Sequence, residues 1–208
     1  MPVTLPDLSR SKCYYLQICG EVGIGAQDVP QVLASKSSYP AARYEASGAV
    51  VYARIGWAPP KENKPDYHLH FDFVKEEWFD RKNTKPDIAI APEEIKQVVA
   101  TLEGMPYSAY VTGCFRIAES LPKVIQSITK GASSKSDGIE VELTEGTLSF
   151  RGGPIRKIRW EKDKDHAGFI LRLTVSISTN IDHNLLISAL GFVESTFSAL
   201  YTGGQNDG

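Results

Sequence analysis

The chain has 208 residues, 42% hydrophobic and 23% charged, proportions that exclude a disordered or fibrous protein and suffice for a packed core. Lys and Arg number 23 against 25 Asp and Glu, a net charge of -2, so the basic excess of most nucleic-acid binders is missing and nucleic acid becomes an unfavoured partner. The three cysteines make no CxxC pair, the N-terminus has no basic stretch leading into an apolar run, and no apolar run approaches the roughly 18 residues of a bilayer span. Together these predict a cytoplasmic protein with no membrane segment and with Cys13, Cys19 and Cys114 as reduced, buried thiols.

After an N-terminal extension over residues 1–11, residues 13–22 alternate. Tyr14, Leu16, Ile18, Gly20 and Val22 fall on one side, and Cys13, Tyr15, Gln17, Cys19 and Glu21 on the other, the pattern of a half-buried strand. Asp28 is placed to cap a short helix with Pro30 in its first turn. Ala49, Val51, Ala53, Ile55 and Trp57 alternate with Val50, Tyr52 and Arg54 up to Pro59-Pro60, where ladder donors run out. Tyr67, Leu69, Phe71 and Phe73 alternate with His68, His70 and Asp72 in the cleanest period of two in the chain. Pro92 then opens a helix in which Ile95, Val98, Val99 and Leu102 recur at helical spacing up to Gly104.

A similar order follows. Tyr107 to Ile117 reads as a strand, and Ser120 caps a helix carrying Pro122, Leu121, Val124, Ile125 and Ile128. Residues 139–143 and 147–150 form a hairpin about Glu145-Gly146, and strands follow over 155–161 and 169–177. A long helix from about Asp182 carries Leu186, Leu190, Val193, Phe197 and Leu200 on one stripe, and residues 204–208 are a loose tail.

These elements describe an α+β protein, an antiparallel sheet with helices on one face, in two halves over residues 12–105 and 106–203. The halves read as copies of one β-α-β-β-α unit. Ala26, Pro30, Val32 and Ser35 match Ala118, Pro122, Val124 and Ser127, while Tyr14, Ile18, Gly20 and Ile24 align with Tyr107, Val111, Gly113 and Ile117. In element order, though not in any sequence motif, the chain resembles the TATA-box-binding-protein-like and helix-grip architectures. The helix-grip likeness allows a cavity between the sheet and the long terminal helix.

If the helices cover Leu16, Val51, Leu69, Phe71, Val111 and Leu173, the opposite face gathers Tyr15, Gln17, Tyr52, Arg54, His68, His70, Asp72, Tyr110, Thr112, Arg116, Arg172 and Thr174. Rings, imidazoles and guanidiniums together suit a binding surface, and equally the wet side of an antiparallel sheet. Residues two apart on a strand point the same way, so His68, His70 and Asp72 can offer two nitrogens and an oxygen to one divalent metal. Residues 151–164 place Arg151, Arg156, Lys157, Arg159, Lys162 and Lys164 near Trp160, a set able to follow phosphates and stack a base, diluted by Glu161 and Asp163. Gly23-Ile24-Gly25 lacks the rest of a nucleotide fingerprint, and no Gly-x-Ser-x-Gly or His-Glu-x-x-His occurs.

The leading expectation is therefore a non-enzymatic binding protein that needs no cofactor. It meets a protein partner, or a second copy of itself, through the helix-free face at Tyr15, Tyr52, Arg54, His68, His70, Asp72, Tyr110, Arg116 and Arg172. The alternatives are a small-molecule or metal-dependent enzyme around His68, His70 and Asp72, and nucleic-acid binding through the 151–164 hairpin.

Overall fold

The computed structural model describes residues 1–24, 39–63, 66–79, 84–118, 125–126 and 140–203. Within them, the strands are β1 (Cys13–Val22), β2 (Ala41–Ala46), β3 (Ala49–Ala58), β4 (Tyr67–Lys75), β5 (Pro106–Ile117), β6 (Glu140–Thr144), β7 (Thr147–Arg151), β8 (Ile155–Lys162) and β9 (Phe169–Asn180), all but β2 following from period-two alternation. Helical spacing yields α1 (Pro92–Thr101) and α2 (Leu185–Gly203). The strands join in one antiparallel sheet of order β2-β3-β4-β1-β5-β9-β8-β7-β6, so the fold is α+β. Among the described residues no helix is long and apolar enough to cross a membrane.

Register places the apolar face. Leu16 and Ile18 pair with Phe73 and Phe71 on one flank and with Gly113 and Val111 on the other. All the residues expected beneath the helices, Leu16, Val51, Leu69, Phe71, Val111 and Leu173, are fully buried. Burial of a side chain of this size stabilises the fold by about 1.5–3 kcal/mol.

Ile95, Val98 and Val99 of α1 enter this core, and Glu94 accepts the Ala91 N–H at 2.7 Å to satisfy a donor at the helix start. From α2, Leu186, Leu190, Val193 and Phe197 are buried, with Phe197 stacked on Phe115 at 4.0 Å between ring centroids. Gly113 leaves room for α2 against β5, since a Cβ there would stand 2.9 Å from a Val193 methyl and 3.1 Å from the Phe115 ring. The N-terminal residues Val3, Leu5 and Leu8 join the same core, and Tyr44 donates its hydroxyl to the Pro6 carbonyl at 2.6 Å.

Two local features differ from the sequence reading. Strand β2 is an additional edge strand, joined to β3 by a tight turn in which Ser47 and Gly48 have φ of 48° and 82°. At the start of β1 the register shifts between Cys13, which pairs with Phe115, and Tyr15, which pairs with Cys114. This bulge inserts Tyr14 as an unpaired residue and breaks the alternation. Cys13 is therefore buried in the core, whereas Tyr14 stands against Trp78 and Arg116, so Tyr14 is no counterpart of the fully buried Tyr107. The helix expected from Asp28 and the tail at 204–208 lie outside the described residues, as does most of the helix expected from Ser120. Of the latter, Ile125 and Gln126 are helical and Ile125 packs against the core.

Candidate functional site

The face opposite α1 and α2 carries two groups of polar side chains, on either side of the central pair β1 and β5. On the β1/β3/β4 side, Asp72 is 3% exposed and accepts hydrogen bonds from Gln17 Nε2 at 3.0 Å and Arg54 Nη2 at 3.1 Å. Gln17 Nε2 also donates to the Tyr15 hydroxyl at 3.2 Å. A buried carboxylate is retained only when its oxygens are matched in this way. Burial, and then the Asp72 charge, push the Tyr15 phenol well above its ordinary value, so it stays protonated. Tyr52 stands apart: it is 6% exposed, with its hydroxyl 3.2 Å from Glu76 and its ring edge-on to Phe79.

Next to this network, β4 carries His68 and His70 on the same face; Cys19 of β1 is the cross-strand partner of His70, whose ring lies over Gly56 of β3. Cys19 Sγ lies 3.0 Å from His68 Nε2, and one ligand atom from each of Cys19, His68 and His70 falls within 4.8 Å of the others. His70 Nε2 is 3.7 Å from Asp72 Oδ2, and its ring packs at 4.7 Å on Tyr39. Gly56 makes room for that stack, because a Cβ there would collide with both rings. Burial lowers the His70 pKa, with Asp72 opposing the shift, while burial and Asp72 together raise that of the Cys19 thiol. The ring is thereby biased toward its neutral form and the thiol toward its protonated form.

On the β5/β9/β8 side, Thr112 and Thr174 share a hydrogen bond at 3.1 Å. Arg172 reaches Glu161 at 3.2 Å and Cys114 Sγ at 3.4 Å, and burial pushes the Cys114 thiol up to about 11. Register sets Arg159 directly opposite Arg172 and Lys157 opposite Thr174, with Arg156 donating to Ser176 Oγ at 3.2 Å. Lys157 and Arg159 are exposed and make no ion pair among the described residues. Arg116 is held elsewhere, 3.3 Å from Asp163 and over the rings of Tyr14 and Trp78 at 4.7 and 5.2 Å. Trp160 projects to the other side of β8 and packs against the core.

Between the two groups, an open concavity of about 600 Å³ is bordered by Cys19, His68, Tyr110, Arg156, Ser176 and Ser178, with Tyr110 54% exposed at its rim. A separate hollow of about 350 Å³ lies between the end of β9 and α2, lined by residues such as Asn180, Asp182 and Phe192, and contains none of His68, His70 or Asp72.

The sequence-predicted residues thus divide. Tyr15, Arg54, His68, His70 and Asp72 come together, Tyr110 borders the concavity, Arg116 and Arg172 belong to the other flank, and Tyr52 is tied to Glu76. Of the cysteines, Cys13 and Cys114 are buried as expected, whereas Cys19 is half-buried beside the histidines. Its outward position in the β1 alternation was the available signal, but only register brings it to His68. Comparison of the chain with protein-family models, with curated proteins and with solved structures gives no match.

Proposed function

We propose that the protein is a non-enzymatic binding protein whose helix-free sheet face receives an acidic segment of a protein partner. The carrying observation is the row of positive charge along β8 and β9. Arg159 faces Arg172 across the strands and Lys157 faces Thr174, while Arg156, at the register shift that follows, donates to Ser176 Oγ. Like charges directly opposed in a sheet are destabilising, and Glu161 is the carboxylate paired with Arg172. Carboxylates on a partner would relieve that repulsion, and guanidiniums bind them in bidentate fashion. Nucleic acid is the weaker reading of the same charges, because Trp160 packs against the core and offers no face to a base.

The test is binding of a glutamate-rich peptide and of a single-stranded oligonucleotide of equal charge to the wild-type protein and to the Lys157→Glu/Arg159→Glu variant. Both residues are exposed, so the circular dichroism spectrum should stay native. The expected result is salt-dependent peptide binding weakened about tenfold or more in the variant. Equal peptide affinity in the two proteins, or preference for the oligonucleotide, overturns the reading.

The scaffold for this face is read as two copies of one unit. The strand order runs outward as β1-β4-β3-β2 in one half and as β5-β9-β8-β7-β6 in the other. Ile18 and Val111, equivalent in the sequence alignment, are also direct partners across β1 and β5, and Gly20 and Gly113 stand symmetrically about them. A two-fold axis relating two such copies would pass through that pair.

A further inference from the structure

Cys19, His68 and His70 take no part in the basic row on β8 and β9, and they form the one group of metal-ligating side chains found among the described residues. Their arrangement follows from the sheet. Two histidines two residues apart on β4 point to the same face, and the β1 register sets Cys19 beside both. In tetrahedral coordination, thiolate and imidazole ligands lie about 3.3–3.6 Å apart, as zinc bond lengths require. The separation of 3.0 Å between Cys19 Sγ and His68 Nε2, and the 4.8 Å limit for the whole group, bracket that spacing.

The surroundings are those of a ligand set. Metal-binding histidines usually give their other ring nitrogen to a carboxylate. Asp72 Oδ2 stands 3.7 Å from His70 Nε2 and is itself held by Arg54, while Gln17 holds the other carboxylate oxygen. The Tyr39 ring fixes the plane of His70 from above, over the space left by Gly56. Cys19 and His68 also border the concavity of about 600 Å³, which leaves one side of the cluster open.

We propose that Cys19, His68 and His70 bind one zinc-class transition-metal ion through a thiolate and two imidazoles, with a fourth position facing the concavity. One thiolate and two imidazoles are too soft a set for magnesium or calcium and fit zinc or cobalt(II). The thiol proton leaves to solvent on binding, as for other thiolate ligands. The Asp72 carboxylate acts as a positioning group for His70. The site lies on β1 and β4, away from Lys157 and Arg159, so it can fail without affecting the partner surface, and the reverse.

Cobalt(II) titration of chelator-treated full-length protein tests the site, because a cysteine ligand produces a thiolate-to-cobalt charge-transfer band in the near-ultraviolet. The expected result is saturation at about one equivalent, loss of the band in Cys19→Ser, and retention in Cys114→Ser. Asp72→Asn should weaken binding about tenfold, the usual cost of losing an outer partner. Zinc should raise the thermal midpoint of the wild type and leave that of His68→Ala unchanged. The proposal is overturned by the absence of a band in the wild type, or by a band that persists in Cys19→Ser.

Discussion

Asp163 illustrates how a single residue is committed by its surroundings. Burial alone would raise its carboxyl pKa, but the N–H groups of Asp165 and His166 and the charge of Arg116 outweigh that effect and hold it below the ordinary 3.8. A folded-state value depressed in this way contributes stability above the ordinary carboxylate range, and that stability is lost as pH falls through the folded value. Asp163→Asn should therefore destabilise the protein by about 1–3 kcal/mol near neutrality, since Arg116 loses its ion partner. In urea unfolding followed against pH, the gap between wild type and variant should close below about pH 4. A gap independent of pH would mean that the Asp163 charge contributes nothing. The alternation of β5 says which way Arg116 points from the strand, but not that Asp163, in the turn after β8, is its partner.

At the scale of elements, strand periodicity made β1, β3, β4, β5, β8 and β9 legible because each has one face buried and one polar. Strand β2 escaped because Ala41 and Ala42 contrast weakly with their neighbours and both are buried. The Ser47-Gly48 turn was its only strong mark. The bulge at Tyr14 was illegible for another reason, since an unpaired residue is defined by the partner strand and not by its own. Packing of α2 on β5 depends similarly on one position. Gly113→Val should cost about 1–3 kcal/mol in urea unfolding, because the added methyls have no room beneath Val193 and Phe115. Gly191→Ala, at an exposed site on the same helix with nothing within 4 Å, should instead stabilise by about 0.5–1 kcal/mol. Destabilisation of similar size by both would show that α2 is generally intolerant of substitution and that Gly113 has no special role.

For the whole molecule, the central β1/β5 pairing makes each half the completing edge of the other. A fragment of residues 1–105 would expose the β1 edge, with unpaired donors and acceptors and with Ile18 at its middle. If the halves are copies, that fragment should dimerise by β1 pairing with itself about Ile18, in the register β1 now makes with β5. Sedimentation velocity should then detect a concentration-dependent dimer. A folded fragment that remains monomeric at high concentration would count against the duplication.

Away from the bulge at Tyr14, alternation along each strand is enough to say which residues share a face. Alternation assigns Leu16, Phe71 and Val111 to the core and Gln17, His70 and Asp72 to the other side, because side-chain direction along a strand is a local property of the backbone. Which of these residues meet is a property of the assembled sheet. Cys19 beside His68, Arg159 opposite Arg172 and Asp72 between Gln17 and Arg54 are all products of register between strands far apart in the chain. Register is set by the joint packing of a whole sheet face against its helices, a condition no single stretch of sequence contains.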